Sequence, residues 1–259
     1  MVSADIVRFA DELATLSGDI ILPLFRTDIA ADNKAEPGDF DPVTEADRAA
    51  ERIMRERIRA VFPSHGIEGE EYGDEQSDAD YVWVLDPIDG TRAFISGLPL
   101  WGTLIGLKHK GKPVFGLMHQ PFIGERFWGS TEGSFYRRGD VTRPLRTRAC
   151  PALDEATLST TSPAQFKGPK LERYLRVEQG SRLTRYGYDC YAYSMLAAGQ
   201  IDLVVESGLK PCDIVALAPI IEGAGGAITS WNGGSITDGG DVIAAGDKQL
   251  HATVMGLLS

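Results

Sequence analysis

The chain has 259 residues, 43% of them apolar and 24% charged, with a formal net charge of -11, which is enough to bury a sizeable core in one large domain or in two smaller ones sharing a cleft. That acidic excess argues against a nucleic-acid partner, which needs concentrated Lys and Arg to displace counterions, and no apolar run reaches membrane-spanning length. Met1 to Leu16 carries acids and lacks a basic leader pattern, and Cys150, Cys190 and Cys212 form no CxxC pair; the expectation is a cytoplasmic protein with reduced thiols and neither a disulfide framework nor a zinc site.

Apolar residues at helical spacing (Ile6, Phe9, Leu13, Leu16, Ile20) predict an amphipathic helix over Ala4 to Phe25. Arg26 to Asp41 has Gly, Pro and charge without periodicity, and reads either as a lid around Lys34 or as a plain surface loop. A second helix opens at Thr44, with Asp47 as capping partner, and runs to about Phe62. Strands are predicted over Tyr81 to Leu85, Leu100 to Lys108, Pro113 to His119, Glu125 to Gly129 and Ser134 to Tyr136. After a basic, Pro-containing stretch from Arg137 to Pro151 the rhythm changes to alternating strands and helices: Thr157 to Thr160, a helix near Lys170, Tyr191 to Ala198, Ile201 to Glu206 and Asp213 to Glu222. The expected division is residues 1–145, an α+β unit, and residues 146–259, an α/β unit that completes the site. Gly106 to Lys112 imitates a P-loop spacing, but Pro113 stands where Ser or Thr would be needed, so a hairpin turn is expected. Gly223 to Gly226 follows a helix and reads as its stop.

The chemistry lies in carboxylates. Only four histidines are present, without a metalloprotease pair, and there is no G-x-S-x-G elbow. In Trp83-Val-Leu-Asp-Pro-Ile-Asp-Gly-Thr91 an apolar strand runs into two acids three residues apart. Pro87 fixes one backbone angle and Gly90 permits an unusual one, so Asp86, Asp89 and the Ile88 carbonyl can aim at one point, a set of oxygens suited to a hard cation such as magnesium. Thr91 onward can start a helix whose free amides would receive a phosphate. Each acid also has an ordinary alternative. Asp86 and Asp89 can cap a turn, Glu70 and Glu71 can be a solvated edge, Asp213 can favour a helix dipole, and Asp47 can serve only its capping box.

Asp41-Pro-Val-Thr-Glu-Ala-Asp47, Gly69-Glu-Glu71, Asp86-Pro-Ile-Asp-Gly-Thr91 and Pro211-Cys-Asp213 occur in that order, and together they resemble the inositol monophosphatase family over nearly the whole chain. The resemblance implies an α+β fold, a five-layer αβαβα sandwich of the fructose-bisphosphatase/inositol-monophosphatase type. It implies that Glu70, Asp86, the Ile88 carbonyl, Asp89 and Asp213 bind two or three Mg2+ ions, and that Asp47 hydrogen-bonds Thr91 beside the attacking water, with Glu70 also catalytic. The Gly90 and Thr91 amides would hold the phosphate of a small monoester during metal-activated water attack. A homodimer and a lid closing over the metals are carried over in the same way.

By the same resemblance Gly187, Tyr188, Asp189 and Glu206, with Asp89 and Asp213, lie where the substrate binds. Inositol-type members carry small residues after that glycine. Two carboxylates facing the leaving group suit an alcohol bearing positive charge, which points to histidinol phosphate and the histidinol-phosphatase branch of histidine biosynthesis. Asp189 has an ordinary alternative as the N-cap of the following helix, and Cys212 departs from the aromatic residue many relatives carry there. The competing readings are an inositol or broad sugar monophosphatase, an adenosine 3',5'-bisphosphate nucleotidase, and a regulatory binding module on the same fold.

Overall fold

The first helix, α1 (Ala4–Ile21), is capped by the Ser3 hydroxyl, which accepts from Ile6 N at 3.3 Å. It buries Phe9, Leu13 and Ile21 on one face. It stops short of Phe25 because Pro23 interrupts the α ladder, and Leu22–Leu24 tighten into a 3-10 turn. The computed structural model describes residues 2–28, 30–33 and 42–259, so the lid expected around Lys34 lies outside the described residues. Part of the stretch read as an aperiodic loop is strand: β1 (Ala31–Asn33) pairs antiparallel with β2 (Pro42–Thr44).

Helix α2 (Glu45–Val61) starts in a capping box in which Thr44 and Asp47 satisfy each other's ends. With α1 it covers one face of an eight-stranded sheet. That sheet is built from β3 (Gly66–Gly69), β4 (Gly73–Glu75), β5 (Tyr81–Asp89), β6 (Gly102–His109), β7 (Lys112–Gln120), β8 (Glu125–Ser130), β9 (Gly133–Arg138) and β10 (Val141–Pro144), in spatial order β10-β9-β8-β7-β6-β5-β3-β4. All neighbours are antiparallel except β3 and β5. Phe9, Leu13, Met54, Ile58, Trp83, Ile105 and Phe115 fill the space between helices and sheet. Each such burial is worth roughly 1.5–3 kcal/mol, against well under about 1 kcal/mol for a half-exposed pair such as Arg57–Glu12, so apolar packing sets the layer.

The second sheet runs β12-β11-β13-β15-β14 and comprises β11 (Thr157–Thr160), β12 (Leu183–Tyr186), β13 (Leu203–Leu209), β14 (Ala227–Ser230) and β15 (Gly240–Ala245). The helices α4 (Pro169–Gly180) and α8 (Lys248–Leu258) pack together on its outer face, while α5 (Asp189–Ala197), α6 (Pro211–Ile214) and α7 (Leu217–Gly223) lie between the two sheets. A short α3 (Thr91–Ile95) follows β5. The layers therefore alternate as αβαβα, the expected class. Strands β12, β14 and β15 and helix α8 were not anticipated. The helix expected over Asp213 to Glu222 is broken into α6 and α7, and its stop at Gly223–Gly226 is present, with Gly225 at φ 101°. The turn between β6 and β7 is the expected hairpin, with Lys110 and Gly111 both at positive φ.

Candidate active site

Strand β5 does not end at Leu85. It continues through Asp86-Pro-Ile-Asp89, but its register with β6 shifts between Asp86 and Asp89, and such an irregularity re-aims side chains that would otherwise alternate. The Pro87 carbonyl freed there accepts from Thr103 Oγ1 at 2.8 Å, and Thr103 in turn lies 3.0 Å from Ser17 Oγ on α1. Gly90 then takes the left-handed conformation at φ 86°. A Cβ on it would stand 2.8 Å from the Leu100 carbonyl, so the turn into α3 requires glycine.

Glu70 is placed from below. Its amide donates to Leu85 O at 3.2 Å, and the following turn is pinned by buried Glu51, which accepts from Glu71 N at 2.8 Å and from Tyr72 N at 3.2 Å. Arg55, 2% exposed, bonds Glu51 Oε1 at 2.7 Å and Glu75 at 2.9 Å. Gly69 has no room for a side chain, since a Cβ would fall 2.1 Å from Glu51 Oε1. On the opposite side Asp213 sits in the first turn of α6 and accepts from Lys210 N at 2.7 Å, while Lys210 Nζ lies 3.1 Å from Glu70 Oε1. Asp89 is fixed by the α5 amide of Cys190, which donates to its Oδ2 at 2.6 Å.

A cavity of about 350 Å³ is lined by Glu70, Asp86, Ile88, Asp89, Gly90, Thr91, Asp189, Glu206 and Asp213, all expected at the site. Carboxylate oxygens of Asp86, Asp89 and Asp213 lie within 4.8 Å of one another, and Glu70, Asp86 and the Cys212 thiol form a second group of the same span. Burial, then the neighbouring acids, pushes Asp86 and Asp89 well above the usual carboxylate range, and burial raises Asp213 too. Asp86 is 1% exposed and its Oδ1 has no hydrogen-bond partner. Four acids, Glu70, Asp86, Asp89 and Asp213, beside the ammonium of Lys210, together with an orphaned buried oxygen, fit a divalent cation bound by oxygen ligands. The first turn of α3 adds amides without intrahelical partners at the cavity edge.

Two expectations fail. Asp47 does not bond Thr91: its Oδ2 accepts from the Thr44 amide at 2.8 Å and hydroxyl at 2.6 Å, and Thr91 Oγ1 donates to Ile88 O at 2.9 Å. The capping box takes one Asp47 oxygen, leaving buried Oδ1 without a partner. Burial raises Asp47 to about 6. Gly187 and Tyr188 do not line the cavity either. The Gly187 amide closes β11 by donating to Thr160 O at 3.2 Å, and the Tyr188 hydroxyl accepts from Arg185 Nε at 2.8 Å. The chain turns at Gly187, φ 80°, and again at Asp189, φ 43°, and it is the Asp189 side chain that lines the cavity. Tyr188, not Asp189, is the cap residue of α5, and no side chain caps that end.

Among residues not anticipated, Thr161, Gln165, Tyr193 and Ser207 also face the cavity. Strand β13 repeats the device of β5: its register with β15 shifts between Glu206 and Leu209. Glu206 is 2% exposed, and burial raises it to about 7; Asp189 is raised to about 6, again by burial. Thr161 and Gln165 carry no sequence signal, because an isolated Thr or Gln in a polar turn is ordinary.

The profile of the inositol monophosphatase family matches residues 3–259. A bifunctional phosphatase, IMPL2, chloroplastic, from Arabidopsis thaliana is 45% identical over 258 residues, covering 94% of this chain and 73% of that protein. A histidinol-phosphatase from Chlorobaculum parvum is 34% identical, covering 92% and 91%. A Nus factor SuhB from Pseudomonas aeruginosa is 31% identical, covering 95% and 93%. The solved structure of an inositol monophosphatase from Zymomonas mobilis superimposes with a TM-score of 0.89 at 42% identity, covering 99% of each chain.

Proposed function

This chain belongs to the inositol monophosphatase family and is a metal-dependent phosphatase of phosphate monoesters, and on that premise we propose that it hydrolyses histidinol phosphate with magnesium. The observation that carries the choice of substrate is the pair of buried Glu206 and half-buried Asp189, which lines the same cavity as Asp86, Asp89 and Asp213. Two carboxylates against the guanidinium of Arg92, whose charge acts on Asp189, leave an excess of negative charge that favours an alcohol bringing a positive one, and the amine of histidinol supplies it. The names of the relatives agree with this choice without selecting it, since they include other substrates.

Glu70, Asp86, the Ile88 carbonyl, Asp89 and Asp213 would hold Mg2+, which supplies Lewis-acid charge at the ester when bound. The Gly90 and Thr91 amides bind the phosphate, as orphan donors at a helix start do for an anion. Glu70, on the cavity wall, provides an acceptor for a proton of an attacking water, while Asp47 lies buried outside the cavity lining. Residues 1–145 carry most of these groups, and residues 146–259 supply Asp213 and the alcohol end. A homodimer is part of the proposal, as is catalysis in the cytoplasm; no described helix is long and apolar enough to cross a membrane.

The test is a phosphate-release screen with histidinol phosphate, inositol monophosphate, fructose bisphosphate and adenosine 3',5'-bisphosphate, each with magnesium and with chelator. Histidinol phosphate should give the highest kcat/KM, and chelator should abolish release. Equal or better turnover of a neutral ester would remove the assignment. Asp189→Asn should raise KM for histidinol phosphate about tenfold and leave inositol monophosphate nearly unchanged, as loss of one charge-assisted contact to the amine requires.

A further inference from the structure

The carboxylate of Glu206 is held by donors at both oxygens. Thr161 N reaches Oε1 at 2.6 Å and Thr161 Oγ1 reaches it at 3.1 Å, while Gln165 Nε2 reaches Oε2 at 2.5 Å. Gln165 is itself tied down: Nε2 also donates to Thr160 Oγ1 at 2.7 Å, and Oε1 accepts from Ser207 N at 3.4 Å, inside the β13 irregularity. The Thr161 hydroxyl lies 3.5 Å from Asp189 Oδ1 as well, so one side chain touches both acids of the pair.

We propose that Gln165 and Thr161 are specificity-determining positioning residues, a clamp that fixes the Glu206 carboxylate beside Asp189 in the orientation that receives the cationic end of the substrate. The inference rests on the histidinol phosphate reading and goes beyond it, because it assigns the discrimination to two residues that need not touch the substrate. An unclamped Glu206 could rotate to find other donors. With both oxygens engaged it stays in place, and two fixed acids confront any neutral alcohol with an excess of negative charge that it cannot neutralise. Gln165 is suited to this because its amide has two donors and one acceptor, and all are used.

Gln165→Met keeps the length and removes the donors. It should raise KM for histidinol phosphate about tenfold, the loss of one charge-assisted bond's worth of placement, while KM for inositol monophosphate and kcat on both esters stay within about twofold. In a Glu206→Gln background the same substitution should have no further effect on the KM ratio. Thr161→Val should reproduce the shift and Thr161→Ser should restore it, which gives the answer independently if Gln165→Met does not fold. Equal KM changes on both esters, a loss of kcat alone, or a full additional effect without Glu206 would overturn the clamp. If the wild-type enzyme shows no preference for histidinol phosphate, the functional reading falls and the clamp with it. A preference that survives in the variants overturns the clamp alone.

Discussion

Asp86 concentrates the argument at the scale of single residues. It is buried, it faces Glu70, Asp89 and Asp213, and one of its oxygens has no partner. Asn at this position keeps the shape and removes the charge. Asp86→Asn should lower kcat by about a hundredfold or more and weaken magnesium binding in calorimetry; undiminished turnover would show that the acid is not a ligand. This residue was legible because Asp, Pro and Gly in one short run dictate a turn and an acidic focus together. That Asp47 bonds Thr44 and not Thr91 was not legible. An acid three residues into a helix has a capping duty as well as any catalytic one, and spacing alone cannot say which donor a given oxygen takes. Asp189 was found for its charge, but its own positive φ, unusual for a residue other than glycine, was not legible.

Among the elements, the β3–β4 turn that carries Glu70 depends on a layer beneath it. Glu51 and Arg55 rise from α2 into the space under Gly69, and a methyl group there has nowhere to go. Gly69→Ala should destabilise the protein by roughly 1–3 kcal/mol, the usual range for overpacking a fixed site. The measurements are the shift of a urea midpoint and a parallel fall in magnesium affinity. If stability drops while metal binding is untouched, the turn does not position Glu70. Helices α1 and α2 could be read from periodicity, since one face of each meets water and the other meets the core, whereas β5 and β6 are buried on both faces and were legible as long apolar runs. Strands β12, β14 and β15 escaped because they are only four to six residues long.

Across the whole molecule, the acids of the cavity make stability depend on pH. Asp47 and Asp189 stand at about 6 and Glu206 at about 7 in the folded protein, against about 4 when unfolded. A carboxyl raised by folding contributes fully below about pH 4 and loses that contribution as pH climbs through 6 to 7. Chelator-treated protein should therefore melt at a higher temperature at pH 5 than at pH 8, and magnesium should stabilise it most at pH 8. His119 works in the other sense. Burial lowers it to about 3, with Nδ1 2.8 Å from the Ala14 carbonyl of α1, so its contribution is present above about pH 6.5 and lost as pH falls. His119→Gln should steepen the rise toward pH 5; scanning fluorimetry over that range reads both effects, and a flat profile in metal-free protein would refute the first.

The paired irregularities in β5 and β13 have a consequence for how such an enzyme changes its diet. On the proposed assignment, grip on the phosphoryl group would hang mainly from one sheet, and preference for the departing alcohol from a defect in the other. Replacing Ser207, Gly208 or the turn holding Gln165 would then retune the menu while the groups proposed for hydrolysis on β5 are left alone.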